Sequence, residues 1–253
     1  MPSFDLTGRI ALITGSSQGI GLSLAEGLAA AGARIVLNGR DGEKLLAARD
    51  GLVARGVVAD IALFDVTDPQ AVAAGVAHVE RHVGPIEILV NNAGLQRRAP
   101  LDQFSVEDWH TLMRTNLDAV FYVGQAVARQ MIPRGHGKII NIASVQSEAA
   151  RPGIAPYTAS KGAVRNLTRG MCADWARHGL QINAIGPGYF DTPLNAALVA
   201  DPVFDVWLCK RTPAGRWGHV EELHGAAVFL ASDASSFVNG QVLYVDGGVL
   251  AVL

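Results

Sequence analysis

The chain has 253 residues, 49% of them hydrophobic, and a formal net charge of −2 from 21 Lys and Arg against 23 Asp and Glu. This size predicts a single α/β domain over residues 1–253, and the near-neutral charge argues against nucleic-acid or membrane-surface binding. The two cysteines, the opening MPSFDLTGR and the lack of a long apolar run exclude a disulfide framework, a secretory signal and a membrane span, and favour the cytoplasm.

Short β-branched runs alternate with longer Ala- and Leu-rich segments, which is the pattern of a parallel sheet with helices on both faces. We therefore expect a doubly wound, seven-stranded sheet. The predicted strands cover residues 10–14, 34–37, 58–64, 88–91, 139–142, 181–185 and 241–245. The predicted helices cover residues 20–31, 42–54, 69–82, 106–131, 156–178 and 220–232. The segment 192–218 contains three prolines and is predicted to be an insertion over the ligand-binding edge.

The first strand runs into a glycine-rich turn, Thr14-Gly15-Ser16-Ser17-Gln18-Gly19-Ile20-Gly21, that opens the first helix. Glycines at 15, 19 and 21 allow a tight turn and a close approach of the backbone to a pyrophosphate, while the helix N-terminus offers free N–H groups. Glycine-rich turns also occur without a ligand. The position between a first strand and an amphipathic helix nevertheless favours a dinucleotide.

The end of the second strand, Asn38-Gly39-Arg40, indicates which dinucleotide binds. Sites for NAD usually have an acidic residue here, which binds the ribose 2′-hydroxyl. Gly39 occupies that position, and the guanidinium of Arg40 suits a 2′-phosphate. NADP(H) is therefore the preferred cofactor, with NAD(H) possible, unless Arg40 is only a solvated charge.

Polar residues end two later strands, at the edge where open α/β sheets bind ligands. The fourth strand leads into Asn91-Asn92-Ala93-Gly94, the fifth ends at Ser144, and the next helix carries Tyr157 and Lys161 on one face. An ammonium beside a phenol lowers the phenolic pKa, so Tyr157 could exchange a proton with a carbonyl oxygen that Ser144 holds. A Tyr–Lys pair at this spacing is often structural, but the order of the motifs favours an active site.

Together these motifs, from Thr14 to Gly248, resemble the classical short-chain dehydrogenase/reductase family. The resemblance implies a Rossmann-type fold, an NAD(P)-dependent alcohol dehydrogenase or ketone reductase, and a catalytic tetrad of Asn116, Ser144, Tyr157 and Lys161. In such a tetrad Tyr157 is the general acid/base, and Lys161 binds the nicotinamide ribose and lowers the pKa of Tyr157. Ser144 positions the substrate oxygen, and Asn116 supports a water relay to Lys161.

The resemblance also implies where the cofactor binds. The expected contacts are Gly15, Ser17, Gln18, Gly19, Ile20, Gly21, Asn38, Arg40, Asp65, Val66, Asn92, Ala93, Gly94, Tyr157, Lys161, Pro187, Gly188, Phe190 and Thr192. Asp65 and Val66 correspond to the adenine position, and residues 187–192 to the nicotinamide-side loop. The helices 106–131 and 156–178 correspond to the family's subunit interfaces, so the resemblance implies a homotetramer.

The loops resemble those of family members that act on sugar acids. A buried carboxylate without a partner costs several kcal/mol, and Arg97 or Arg98 could supply the partner, although either could be a solvated loop charge. Arg98 is favoured over Arg97. Polar groups suited to a polyol complete the predicted substrate residues, which are Arg98, Arg97, Ser144, Gln146, Glu148, Tyr157 and Tyr189.

Other functions stay open at this point. A 3-oxoacyl thioester reductase or a broad carbonyl reductase would use the same tetrad, and a nucleotide-binding scaffold or sensor would not need it. Trp207 and Trp217 in the segment 192–218 could form a lid that excludes water, or could simply pack in the core. The seven histidines show no ligand spacing, so we expect no catalytic metal.

Overall fold

The computed structural model describes residues 3–252 and contains one seven-stranded sheet. Its strands are β1 Ile10–Ile13, β2 Arg34–Gly39, β3 Ala59–Leu63, β4 Ile86–Asn91, β5 Gly137–Ile142, β6 Leu180–Pro187 and β7 Val242–Val245. They lie in the order β3-β2-β1-β4-β5-β6-β7, and every neighbouring pair is parallel. The predicted doubly wound sheet is confirmed.

Helices cover both faces of the sheet. They are α1 Gly19–Ala30, α2 Gly42–Val53, α3 Pro69–His82, α4 Val106–Met113, α5 Ala119–Arg134, α6 Ala155–Trp175, α7 Ala196–Val199, α8 Pro202–Arg211 and α9 His224–Ala231. Along this part of the chain no helix is both long enough and apolar enough to cross a membrane.

The sheet separates two hydrophobic cores because successive side chains of a strand point to opposite faces. In β1, Leu12 belongs to the core that includes residues of α3, α5 and α6, and Ile13 to the core that includes residues of α1, α2 and α9. Both side chains are fully buried, and burial of such a side chain contributes about 1.5–3 kcal/mol. Both cores therefore anchor β1 firmly, and the turn that follows it starts from a rigid strand.

The strand order reverses at β1, which pairs with β2 on one side and with β4 on the other. The connections that leave β1 and β4 therefore run to opposite faces, and a crevice opens between them at the carboxyl ends of the strands. The glycine-rich turn follows β1, and the turn Asn91–Gly94 follows β4. The topology thus brings two motifs that lie about 75 residues apart in sequence to one edge.

The single helix predicted over residues 106–131 is wrong in one respect. A π-helical turn, Arg114–Asp118, separates α4 from α5, and α5 continues to Arg134. Asn116 lies in this turn with its amide bonded to the backbone of Leu95. Side-chain periodicity does not reveal one extra residue in a helical turn, and such turns are frequent at functional sites.

One further prediction needs a smaller correction. The last predicted helix, 220–232, begins as a 3₁₀ turn over Val220–Leu223, and its α-helical part is α9. The segment 192–218 contains two helices, α7 and α8. Asp201 caps α8 by accepting hydrogen bonds from Val203 N and Phe204 N, a local signal of an N-terminus.

Candidate active site

The glycine-rich turn after β1 is shaped for a close approach. Gly15 and Gly19 have φ of +61° and +59°, a region that glycine enters without steric cost. A Cβ atom on Gly21 would lie 2.4 Å from Nδ2 of Asn92 and 2.5 Å from the carbonyl oxygen of Gly15. Only glycine fits at position 21, so α1 starts directly against the turn after β4.

Asn92 and Thr14 hold the two turns together. Nδ2 of Asn92 donates to the carbonyl oxygens of Thr14 and Gly15, both at 2.9 Å. Oγ1 of Thr14 in turn accepts hydrogen bonds from the backbone N–H groups of Asn92 and Ala93, each at 3.0 Å. Asn92, predicted only as a cofactor contact, thus also holds the loop after β1 against the loop after β4.

The N-terminus of α1 differs from those of α2 and α3. The side chains of Asp41 and Asp68 cap α2 and α3, whereas Gln18 makes no side-chain hydrogen bond to the start of α1. Uncapped N–H groups and the positive end of the helix dipole suit a phosphate. The chain leaves this helix start available for an anion.

At the end of β2, Asn38 is fully buried. Its Nδ2 donates to the carbonyl oxygens of Ala62 and Phe64 at 2.9 and 3.1 Å, and its Oδ1 has no hydrogen-bond partner. Arg40 lies exposed just beyond. The pKa of Asp65 lies below its usual value. Burial raises this pKa, but hydrogen bonds from Thr67 and the charge of Arg40 lower it by more.

These elements enclose one continuous cleft of about 610 Å³. All of the predicted cofactor residues line it: Gly15, Ser17, Gln18, Gly19, Ile20, Gly21, Asn38, Arg40, Asp65, Val66, Asn92, Ala93, Gly94, Tyr157, Lys161, Pro187, Gly188, Phe190 and Thr192. The glycine cradle, the uncapped start of α1 and the unpartnered Asn38 oxygen fit a dinucleotide that lies along the carboxyl edge of the sheet.

Ser144, Tyr157 and Lys161 meet at the other end of the cleft. Ser144 and Lys161 are buried, with 7% and 5% of their surface exposed. Nζ of Lys161 donates to the carbonyl oxygen of Ile142 at 2.7 Å and lies 5.7 Å from the centre of the Tyr157 ring. Burial lowers the pKa of Lys161 to about 8, so Lys161 is mainly an ammonium at neutral pH.

The pKa of Tyr157 moves in the direction opposite to the expectation. Burial raises it, the nearby Tyr189 raises it further, and the Ser144 hydroxyl and the charge of Arg98 partly compensate. The reason is that the phenol is desolvated, while the Lys161 ammonium lies over the ring and bonds to Ile142. In this arrangement Tyr157 holds its proton firmly, as a proton donor must before it reacts.

Asn116 lies behind the cleft rather than on its wall. Its side chain is fully buried. Its Oδ1 accepts from Leu95 N at 2.8 Å, and its Nδ2 donates to Leu95 O at 2.9 Å and to Ser160 Oγ at 3.3 Å. Asn116 therefore fixes the loop after β4 to α6, the helix that carries Tyr157 and Lys161.

The predicted substrate residues do not all lie together. Arg98, Gln146 and Tyr189 line the cleft, and Nε2 of Gln146 donates to the Tyr189 hydroxyl at 3.3 Å. Arg97 and Glu148 do not line it.

The two outlying residues have other partners. Arg97 is exposed and pairs with Asp108 at 3.3 Å, and Glu148 pairs with Arg165 and accepts from the Tyr244 hydroxyl. The two adjacent arginines thus differ, because Arg98 lines the cleft and Arg97 does not.

One cleft residue, Arg151, was missed by the sequence analysis. It lines the cleft between β5 and α6, in a stretch, Ala149-Ala150-Arg151-Pro152-Gly153, that carries no recognisable motif. Its guanidinium carbon lies 5.2 Å from the centre of the Phe204 ring in α8. Only the tertiary fold shows that this arginine faces the site.

Three aromatic rings of the segment 192–218 pack in one group with Tyr189, which lines the substrate end of the cleft. Phe204 lies 5.8 Å from Tyr189, 5.2 Å from Trp207 and 6.2 Å from Trp217, measured between ring centres. Nε1 of Trp217 donates to Asp205 at 2.7 Å. We call this set, Tyr189, Phe204, Trp207 and Trp217, the aromatic cluster. Across residues 3–252 the structure contains no group of three or more potential metal ligands.

Comparisons with known proteins show which enzymes this chain resembles. The family described as enoyl-(acyl carrier protein) reductase matches residues 15–250. The chain is 67% identical to a gluconate 5-dehydrogenase of Gluconobacter oxydans over 99% of this chain and 98% of that protein. It is 53% identical to a 5-keto-D-gluconate 5-reductase of Escherichia coli over the same shares. A crystal structure of a gluconate 5-dehydrogenase from Burkholderia cenocepacia with NADP and tartrate superposes with a TM-score of 0.97, at 64% identity and covering 99% of this chain and 98% of the other.

Proposed function

Because the chain belongs to the short-chain dehydrogenase/reductase family and is an NAD(P)-dependent oxidoreductase, we propose that it interconverts D-gluconate and 5-keto-D-gluconate. The observation that carries this proposal is the convergence of Ser144, Tyr157 and Lys161 in one cleft with the glycine-rich turn. The high identity to relatives named for this reaction supports the substrate. A pure nucleotide-binding scaffold would have no use for these three side chains.

The chain's own residues supply proton transfer and orientation. In ketone reduction, Tyr157 donates its proton to the carbonyl oxygen, and Ser144 holds the same oxygen by a hydrogen bond as negative charge develops there. The ammonium of Lys161 stabilises the phenolate that Tyr157 becomes. The hydride for the carbonyl carbon comes from the nicotinamide when the cofactor is bound. Oxidation of the alcohol uses the same groups in reverse.

We propose NADP(H) as the preferred cofactor, since Arg40 can face a 2′-phosphate and no acidic residue occupies position 39. Structural relatives that contain NADP support this choice. Gly39→Asp is expected to lower kcat/KM with NADPH by about 100-fold and to raise it with NADH, because a carboxylate repels the 2′-phosphate and accepts from the ribose hydroxyl. A Cβ here would lie 3.5 Å from Leu45, so the fold tolerates it. A kcat/KM with NADPH that is equal in Gly39→Asp and in the unmodified protein would contradict the preference for NADP(H).

The substrate end of the cleft is polar and cationic. Arg98, Gln146 and Tyr189 offer hydrogen bonds to a carboxylate and a row of hydroxyls. A long acyl chain would instead require an apolar cleft. These side chains favour a sugar acid over a 3-oxoacyl thioester, which is the main alternative within the family.

A comparison of substrates tests the proposal. The purified protein is expected to reduce 5-keto-D-gluconate with a kcat/KM at least about 100-fold above that for an acetoacetyl thioester, since two or more charge-assisted hydrogen bonds are missing in the second case. Steady-state rates with NADPH measure this ratio. A preference for the thioester would defeat the sugar-acid assignment and leave a reductase of another substrate class.

We further propose that residues 1–253 form a single domain in which 192–218 is the substrate-side lid, and that the protein is a cytoplasmic homotetramer. Free Cys172 and Cys209 suit a reducing compartment. Val106, Trp109 and Phe121 expose 71%, 38% and 43% of their surface on α4 and α5, which favours burial against another subunit. Sedimentation as a monomer at micromolar concentration would rule the tetramer out.

A further inference from the structure

Arg151 has the surroundings of a ligand-binding residue rather than those of a solvated loop charge. Its guanidinium lies over the Phe204 ring, and its Nε is buried without a hydrogen-bond partner. Phe204 itself is half-buried in the aromatic cluster. The ring supports one face of the guanidinium, and the Tyr189 hydroxyl lies within hydrogen-bonding reach of it, which leaves further N–H groups to donate. Arg151 is therefore held in position with donors to spare.

Arg151 and Arg98 converge on the same end of the cleft although both are cationic. Each lines the cleft. Burial lowers the pKa of Arg98, and the positive charge of Arg151 lowers it further. Within residues 3–252 neither guanidinium takes part in an ion pair. Like charges brought together repel each other, and an anion bound between them would relieve that repulsion.

The acidic residues that line the cleft are at its other end. Among the described residues these are Asp41 and Asp65, which follow β2 and β3. Within residues 3–252 no carboxylate therefore neutralises Arg98 and Arg151 from within the cleft. Tyr157 and Tyr189 also act on the charge of Arg98, so an anion bound there would share the substrate end of the cleft with the carbonyl group that meets Tyr157.

We propose that Arg151 and Arg98 together bind the carboxylate of the sugar acid, and that Phe204 positions Arg151 for this contact. Planar guanidinium groups match a carboxylate with two parallel hydrogen bonds. The Phe204 ring covers one face of the Arg151 guanidinium, whereas Arg98 is exposed. Arg151 is thus a specificity-determining residue that selects acids over neutral polyols. This inference rests on the proposed function, because it names the residues that bind the carboxylate of the proposed substrate.

The test compares two substrates that differ at one group. D-Gluconate and D-glucitol have the same hydroxyl chain, but D-glucitol has a hydroxymethyl group in place of the carboxylate. With NADP+ and D-gluconate, Arg151→Gln is expected to raise KM by about 10–100-fold, the loss of a charge-assisted pair of hydrogen bonds. With D-glucitol its kcat/KM is expected to stay within about threefold of the unmodified protein. Arg151→Lys, which keeps the charge, is expected to recover part of the loss.

Two measurements separate this site from a structural role. Arg97→Gln is the matched control, because Arg97 is a neighbouring exposed arginine outside the cleft lining, and it is expected to leave both substrates unaffected. NADPH affinity, measured by fluorescence, is expected to be unchanged in Arg151→Gln and Arg151→Lys. Phe204→Ala is expected to raise KM for D-gluconate more than Phe204→Leu does, because the smaller side chain leaves Arg151 unsupported.

Three results would overturn the inference. The first is an unchanged KM for D-gluconate in Arg151→Gln. The second is an equal loss of kcat/KM on D-gluconate and on D-glucitol in that variant. The third is a loss of NADPH affinity large enough to explain the whole change in KM. If Arg151→Gln does not fold, the ratio of KM for the two substrates in Arg151→Lys decides the matter, and an unchanged ratio counts against the site. Failure of the unmodified protein to oxidise D-gluconate would instead defeat the proposed function itself.

Discussion

Replacing Tyr157 with phenylalanine is expected to lower kcat for reduction of 5-keto-D-gluconate by about 10³-fold or more, within the upper range for loss of a general acid. The ring still fills its place between Ser144 and Lys161, so the fold and the cofactor cleft should survive. NADPH binding is therefore expected to stay within about threefold. Single-turnover rates after rapid mixing with NADPH measure the chemical step directly.

Tyr189→Phe is the matched control, since Tyr189 is a second phenol in the same cleft. It loses the hydrogen bond from Gln146, so a rise in KM of several-fold is expected with kcat nearly unchanged. If the Tyr157 variant kept the rate of the unmodified protein while the Tyr189 variant lost it, the roles of the two phenols would have to be exchanged.

The second large effect is expected at Lys161. Its pKa lies near 8 because the ammonium is desolvated, so the charged form dominates below pH 8 and declines above it. Reduction needs that charge to stabilise the phenolate at Tyr157, and kcat/KM is therefore expected to fall as the pH rises through about 8. Lys161→Met is expected to lower kcat/KM by about 10²–10³-fold at pH 7 and to abolish this fall.

Lys161→Arg distinguishes charge from shape. An arginine stays protonated throughout, so its profile is expected to lack the decline near pH 8, although the larger guanidinium fits the place of the ammonium poorly and lowers the maximal rate. Rates measured between pH 6 and 10 with saturating NADPH give all three profiles. A decline at the same pH in the methionine variant would assign the titration to another group.

Much of the architecture could be predicted from local patterns. β-Branched runs, helix caps and glycines at fixed positions depend on near neighbours in sequence, so they locate β1, the turn after it and the order of the elements. Local patterns likewise locate Ser144 after a strand and Tyr157 and Lys161 on one helix, whereas their roles, and the choice of Asn116, come from the family resemblance. The end of β2 likewise shows Gly39 and Arg40 without any tertiary information.

Other features depend on contacts between distant segments. Arg151 becomes a cleft residue only because α8 brings Phe204 over it, from about 50 positions further along the chain. The raised pKa of Tyr157 follows from desolvation in the folded cleft, which a Tyr–Lys spacing on one helix does not show. Arg97 and Arg98 are adjacent in sequence but have different surroundings. Arg97 forms an ion pair with Asp108 outside the cleft, and Arg98 lines the cleft.

The π turn at Arg114–Asp118 has a consequence for how this chain can vary. Loss of one residue there would restore regular winding between α4 and α5, and the residues of the turn, Asn116 among them, would shift relative to the two flanking helices. The Asn116 side-chain amide would then lose its two hydrogen bonds with the N–H and C=O groups of Leu95. The count of residues between the two helices is thus as constrained as the identity of any one of them, so insertions or deletions in this stretch should be poorly tolerated even where single substitutions are accepted.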